Sequence, residues 1–278
     1  MRKLFEVTHV SGKTGVYIFG KKIVSFQSRL IPYQKLKSKP KFCVSYSVFD
    51  GEELLEASIK SIRQEVDYIN VVYQTTSWVG NLAAPSLLQT LKEIQVKGLI
   101  DELIFFEPDL SLDPQTNERE KRNVGLKAAI KAGGNYFMTM DTDEFYFSNE
   151  LRKVKDAILK KGITHSYCAQ LAYIKKPTSR LVNNYGCYLQ IFSKIDKFSL
   201  LGVNKFAVCL VDPTRMILER KNSKHFVFND IQMHHMYNIR LHISKKYANS
   251  SGQYYAAENG SDPSFDVENY FNINLPKS

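Results

Sequence analysis

From residue 42 onward the chain alternates short apolar runs with amphipathic stretches of longer period. The runs at 42–48, 68–73, 104–106 and 135–140 are too short for typical helices and mostly apolar or aromatic, which predicts buried strands. Between them Leu55, Ile59, Ile62 and Val66 mark one face of a helix, 86–96 forms a second and 118–132 a third. Asp50 stands where a helix cap belongs, with Glu53 at capping-box spacing. Strand and helix in this alternation predict an α/β fold: a mostly parallel central sheet, wound in one direction by right-handed crossovers, with helices on both faces. Beyond residue 150 the pattern loosens into a Lys-rich amphipathic helix at 151–159 and strand-like runs at 166–174, 186–192 and 206–211, expected as antiparallel additions. Before residue 42, the segments 15–20 and 21–26 predict a small hairpin with Tyr17, Phe19 and Phe26 on an aromatic edge.

The chemistry concentrates where the 135–140 strand ends, at Asp141-Thr142-Asp143-Glu144. Ligands of open α/β sheets bind outside the carboxyl ends of the strands, so this turn and the loops at 74–81 and 107–117 line one crevice. Carboxylates two residues apart can converge on one divalent cation, and Mg²⁺ takes one or two carboxylates together with substrate phosphate oxygens. The competing reading is a helix cap and a solvated turn. His234 and His235 follow 91 and 92 residues after Asp143. On a strand only one of them faces the site, and an imidazole ligand favours Mn²⁺ over Mg²⁺. Arg240 and Lys245 suit a diphosphate, the first as a planar fork and the second as a point charge.

Charge adds a second feature. Of the net +10, the first 41 residues contribute nine, with ten basic side chains against Glu6 alone. A basic arm on a near-neutral body predicts peripheral contact with an anionic membrane, and argues against a nucleic-acid binder, which needs a broad basic face. Gly12-Lys13-Thr14 has the ending of a P-loop, but Val7 stands where the upstream glycine is required. No apolar run approaches the roughly 18 residues of a membrane span, and no signal-peptide core is present, so a cytoplasmic place is expected, peripheral on the inner face of the membrane. Cys43, Cys168, Cys187 and Cys209 are widely spaced and read as buried small hydrophobes.

The succession 42–50, Glu52-Glu53-Leu54-Leu55, Val71-Val72-Tyr73-Gln74-Thr75-Thr76-Ser77, Lys121-Arg122-Asn123-Val124-Gly125-Leu126 and Met140-Asp141-Thr142-Asp143-Glu144 resembles a GT-A-fold glycosyltransferase related to glycosyltransferase family 2, over 42–245. The opening, with Tyr17-Ile18-Phe19-Gly20-Lys21-Lys22-Ile23, is similar to the basic leaders of bacterial enzymes that build capsule or lipopolysaccharide. The resemblance implies a Rossmann-like GT-A domain at 42–245, with a basic arm at 1–41 and an extension at 246–278 that drapes over the acceptor cleft or makes an oligomer contact. It implies a metal-dependent, inverting transfer of a sugar from a nucleotide-sugar to a glycan or lipid-linked acceptor in cell-surface polysaccharide synthesis.

Residue by residue, Asp143 becomes the main ligand of Mn²⁺ or Mg²⁺, Asp141 a contact to the ribose or the metal, and His234 or His235 a late third ligand. Tyr46, Val48 and Gln74 bracket the base, while Arg122 and Asn123 approach the nucleotide. Gln74 stands where the commoner pattern has an acid, and its amide can bond a uracil edge, so a UDP-sugar is favoured. Inversion needs a carboxylate to take the acceptor's proton, for which Asp212, Glu219 and Asp230 are the candidates. Two other readings stand beside this one: a nucleotidyltransferase acting on a sugar phosphate, and a non-enzymatic basic protein that binds membrane or nucleic acid.

Overall fold

Seven residues, Phe42–Val48, form the strand on which the sheet is built (β4), and all but Ser47 are buried, as expected of a strand covered on both faces. The computed structural model describes residues 5–10, 13–18, 21–27, 39–174, 176–180, 188–202, 211–212, 214–218, 222–239 and 249, with backbone alone at 5–27, 174–180 and 237–238. The chain divides at Lys39–Pro40 into two units. In the first, Phe5–Val10 (β1), Lys13–Ile18 (β2) and Lys21–Gln27 (β3) form an antiparallel meander. The expected hairpin is there, with a third strand added; the aromatic edge lies outside the described side chains, and the extension at 246–278 lies outside the described residues except for Asn249.

In the second unit β4 leads into Glu52–Ile62 (α1), Tyr68–Tyr73 (β5), Leu87–Val96 (α2), Glu102–Phe105 (β6), Pro114–Lys131 (α3) and Tyr136–Asp141 (β7). The sheet order begins β6-β5-β4-β7, and these four strands are parallel. The chain first winds outward from β4 through β5 to β6, then returns to place β7 on the other side of β4. This reversal makes the β4–β7 boundary a topological switch point, where the strand ends splay and leave a crevice.

Two boundaries differ from expectation for local reasons. Helix α1 is entered through Gly51, at φ 74°, not capped by Asp50; the left-handed turn leaves the Asp50 carbonyl to accept from Thr142 Oγ1 at 3.2 Å, tying the first strand's loop to the acidic turn. Helix α3 begins four residues earlier than expected, because the Asp113 side chain caps it, accepting from Thr116 N at 2.9 Å, and Pro114 fits the first turn.

The rest of the unit is Glu144–Phe145 (β8), Ser148–Lys161 (α4), His165–Ile174 (β9), Lys176–Arg180 (β10), Tyr188–Lys194 (β11) and His225–Asn238 (β12). Strand β11 lies antiparallel between β7 and β9, and β12 runs parallel to β9 and antiparallel to β8. The α/β class with a parallel centre and antiparallel additions is as expected. The 14-residue β12 was legible only in part, and the run at 206–211 is described at Val211 alone. Among the described residues no helix is long and apolar enough to cross a membrane.

Helix α3 lies unusually close to the sheet. A Cβ at Gly125 would stand 1.9 Å from Ser45 Oγ and 2.8 Å from Ser45 Cβ, and the Gly125 carbonyl accepts from Asn70 Nδ2 at 3.0 Å. Replacing a helical glycine by alanine ordinarily stabilises by up to about 1 kcal/mol, whereas overpacking a core costs about 1–3 kcal/mol. Gly125→Ala is therefore expected to lower the unfolding free energy, read from the urea midpoint; an unchanged or raised midpoint contradicts the close approach.

Candidate functional site

The acidic turn is held from three sides. Asp141 ends β7, and Glu144 begins β8, which pairs with β12 in the register His235 to Glu144 and His234 to Phe145. Met236 N donates to the Asp143 carbonyl at 2.8 Å. On the α1 side Ser58 Oγ donates to the Glu144 carbonyl at 2.5 Å and shares a 2.9 Å hydrogen bond with the Tyr46 hydroxyl. The turn therefore presents its side chains at the switch point in one arrangement, locked to a strand 91 residues later.

Two arginines meet these carboxylates. Arg122, on α3 and fully buried, donates to Asp141 Oδ1 at 2.9 Å, to Thr139 Oγ1 at 2.9 Å and to Glu118 Oε1. Arg215 donates to Asp141 Oδ2 and, at 2.5 Å, to Glu144 Oε1, while Glu144 Oε2 accepts from Asp141 N at 3.0 Å. Burial alone would raise the Asp141 carboxyl, but the two guanidinium groups outweigh it and hold the group well below the usual carboxylate range. For Glu144 burial wins, and its pKa moves up despite Arg215.

A third cation, Lys121, is buried beside them. Its Nζ donates to the Val48 carbonyl at 2.7 Å and lies 5.5 Å from the centre of the Trp78 ring. Desolvation, and then repulsion from Arg122, lower its pKa to about 7.

Beside this cationic wall Asp143 faces His235, with Oδ1 3.4 Å from Nε2. His235 Nδ1 lies 2.8 Å from the Gln170 side-chain amide. The atom against Nδ1 is the amide nitrogen, which donates, so the ring's proton sits on the ring Nε2 toward Asp143; turning the amide over puts its oxygen against Nδ1–H and frees the ring Nε2 lone pair for a cation. Orienting a ring through its other nitrogen is how proteins prepare a histidine ligand. One carboxylate and one imidazole fit a divalent cation that takes its remaining ligands from phosphate oxygens and water. Among the described residues no group of three or more His, Cys, Asp or Glu side chains is placed to hold a metal ion.

Several expected roles change. Both Asp141 oxygens are engaged by arginines, so in this arrangement Asp141 anchors those two cations. His234 turns the other way: its Nδ1 meets the Tyr173 hydroxyl at 2.8 Å and its ring packs edge-on against Phe147, because successive residues on a strand face opposite sides. Tyr46, Val48 and Gln74, expected to bracket the base, are wholly buried and engaged within the fold. Tyr46 braces Ser58, Val48 offers its carbonyl to Lys121, and Gln74 Nε2 donates to the Thr76 carbonyl at 2.8 Å, shaping the loop after β5. The Asn123 amide clamps the Leu201 backbone, accepting from N at 2.8 Å and donating to O at 3.3 Å.

The candidate bases also separate. Asp212 joins the site, 3.4 Å from Arg215 Nε and hydrogen-bonded to Thr214. Asp230 is exposed on β12, where its charge acts on Glu150. Glu219, Arg240 and Lys245 lie outside the described residues. Arg215 and Lys121 are the site residues that sequence reasoning passed over. The signal for Arg215 was a lone cation entering the apolar run Met216-Ile217-Leu218.

No protein-family model matches the chain, and no curated protein matches it. Among solved structures it is similar to S. aureus TarS, with 19% identity and a TM-score of 0.35 over 51% of this chain and 23% of that one. It is also similar to TarS 1–349 in complex with UDP-GlcNAc, with 18% identity and a TM-score of 0.32 over 49% of this chain and 35% of that one. A third is glucosyl-3-phosphoglycerate synthase from Mycobacterium tuberculosis in complex with Mn²⁺, UDP and phosphoglyceric acid, with 12% identity and a TM-score of 0.32 over 50% of this chain and 45% of that one. The chain thus spans less than half the length of each, and likeness at this level assigns no function by itself.

Removing one member of a buried ion network leaves a charge without compensation and costs about 3–5 kcal/mol. Arg215→Met is therefore expected to destabilise by that order, and adding Asp141→Asn and Glu144→Gln to recover most of it; denaturant unfolding of the single and triple variants checks both. Lys121 makes a second prediction. The folded chain releases its proton near pH 7 while the unfolded chain keeps it to about 10.5, so stability rises with pH across that window. The rise should vanish in Lys121→Met, and equal pH slopes in the two proteins would contradict a buried, depressed lysine.

Proposed function

We propose that this chain is a glycosyltransferase of GT-A type, transferring a sugar from a nucleoside-diphosphate donor to a hydroxyl acceptor. The observation that carries the reading is the meeting of Asp143 and His235 at the topological switch point of a parallel sheet, with Arg215, Arg122 and Lys121 gathered behind it. Asp143 and His235 are the residues that would hold a divalent cation, Mn²⁺ or Mg²⁺, and when bound it stabilises the negative charge that develops on a leaving diphosphate.

The chain's own residues divide the remaining work. Arg215 and Arg122 keep Asp141 ionised and fix the turn that carries the buried Asp143. Lys121 and Trp78 form the wall under the nucleotide side of the crevice. Asp212, partly exposed beside Arg215, is the candidate to take the acceptor hydroxyl's proton as the new C–O bond forms and the sugar–phosphate bond breaks, which inverts the anomeric centre. A uridine diphosphate sugar as donor, a glycan or lipid-linked acceptor in surface polysaccharide assembly, and a basic arm that follows an anionic membrane complete the reading; these parts come from the sequence resemblance and the charge of the first 41 residues.

Thermal stability of the full chain against nucleoside diphosphates and their sugars, with Mn²⁺, Mg²⁺ or EDTA, tests this. A ligand at about 100 times its Kd should add roughly 2.7 kcal/mol, only with metal, and the effect should disappear in Asp143→Asn and His235→Gln. Gln170→Leu should weaken metal binding by about 10–100-fold through loss of ring orientation. Absence of any metal-dependent response to a nucleotide would sink the reading, and a preference for triphosphates with pyrophosphate release would replace it by nucleotidyl transfer.

A further inference from the structure

Two residues beyond Arg215 the chain is tied to the sheet by a buried side chain. Ile217 N donates to Gln190 Oε1 at 2.8 Å. Gln190 stands on β11, and its other amide atom, Nε2, lies 3.3 Å from Nδ1 of His165 on β9. The Ser193 hydroxyl approaches the same ring nitrogen at 3.1 Å. A backbone N–H can only donate, so Ile217 fixes which way the Gln190 amide is turned: its oxygen meets Ile217 and its NH₂ group meets His165. An NH₂ group also only donates. The His165 Nδ1 therefore accepts, and the ring is neutral with its proton on Nε2.

The surroundings favour that neutral form. His165 is 3% exposed, and its ring is stacked on that of His225, on β12, with centres 5.0 Å apart. His225 in turn meets the Tyr167 hydroxyl through Nδ1 at 3.0 Å, and the neighbouring Lys194 and Lys224 are exposed. Burial first, and then repulsion from His225, lower the His165 pKa to about 4. A proton on Nδ1 would set donor against donor at Gln190. Turning the amide over relieves this clash only by aiming the NH₂ group at Ile217 N–H, so either way a buried donor loses its partner.

We propose that Gln190 and His165 are positioning residues for Arg215: neutral His165 holds the Gln190 amide with its oxygen on Ile217, and protonation of His165 releases Ile217 and with it the seating of Arg215 on Asp141. The bridge from Ile217 to Leu201 keeps the segment near the sheet once this anchor is gone. Acid thereby loosens the second guanidinium on Asp141, while the Arg122 contact, which these hydrogen bonds do not touch, remains. The unfolded chain takes up the His165 proton at about 6.5 and the folded chain at about 4, so the seating is complete above that window and is lost as pH falls through it.

Nuclear magnetic resonance of the isotope-labelled full chain, with neither metal nor nucleotide present, reads each link, and its outcome is independent of the transferase reading. Near neutral pH the His165 ring should show the Nε2–H tautomer. On acidification the His165 ring, the Ile217 amide and the Arg215 Nε–H signal should move together, with one midpoint below that of a free histidine. Glu144 also meets Arg215, and its own titration would move Arg215 without His165; Gln190→Glu separates the two. A carboxylate at that position accepts from Ile217 N and from protonated His165 at once, so the His165 midpoint should rise by at least about one pH unit while the Ile217 and Arg215 signals stay fixed across it. Gln190→Met, which offers Ile217 no acceptor oxygen, should hold the Arg215 signal at its acid position at every pH; if that variant does not fold, Gln190→Glu decides. A His165 proton on Nδ1 at neutral pH overturns the proposal. So do Ile217 and Arg215 signals that ignore the His165 titration, or that still follow it in Gln190→Glu.

Discussion

Arg215 and Arg122 bracket one carboxylate, Asp141, inside the protein, and the geometry of the candidate site depends on that arrangement. Two guanidinium groups brought so close repel one another, and a carboxylate at a buried strand end is costly when unpaired. Each is tolerated because the other is there. Glu144 and Glu118 complete the balance, so that segments from α3, the β7–β8 turn and the 214–218 stretch are bound to each other by charge and not only by apolar contact. The network carries positional information that a hydrophobic cluster, which can slide, does not.

That balance sets the direction of each acid in the turn. Of the three carboxylates in the turn, Asp141 and Glu144 are turned back into the fold to meet arginine, whereas Asp143 is directed at His235. The division follows from the path of the chain. Leaving β7, the backbone bends so that alternate residues face different neighbours, and pairing of β8 with β12 sets which histidine arrives. A shift of one residue in this pairing would bring His234 to Asp143 and put His235 into the apolar pocket of Tyr173 and Phe147. Register, here fixed by Met236 N on the Asp143 carbonyl, is therefore a determinant of the site.

The described residues of the 211–218 stretch meet three different surroundings. Asp212 caps its own turn and lies beside the guanidinium of Arg215; Arg215 reaches the acidic turn; Ile217 and Leu218 divide between the core under α3 and the solvent face. A turn and the short bridge after it thus link the acidic turn to the solvent face. Rigid coupling of this kind follows from the Leu201–Ile217 bridge and from the Asn123 amide, which holds the Leu201 backbone at two points.

The local periods of the sequence determined the parallel half of the fold and the position of the acidic turn, because a buried strand needs a continuous apolar run and a helix needs a repeating face, both properties of neighbouring residues. They also set the choice between His234 and His235 to one of the two, since alternation is local. What they left open was every relation between distant segments. That Tyr46, Val48 and Gln74 are enclosed, that Asn123 serves the backbone of Leu201, and that Arg215 and not Asp143 is the partner of Asp141 follow from which surfaces meet when the sheet closes. The sequence by itself specified the carboxylates and the strand that carries them; tertiary structure alone decided which of them meets arginine and which faces a histidine, because Arg215 and His235 stand 74 positions after Asp141 and 92 after Asp143.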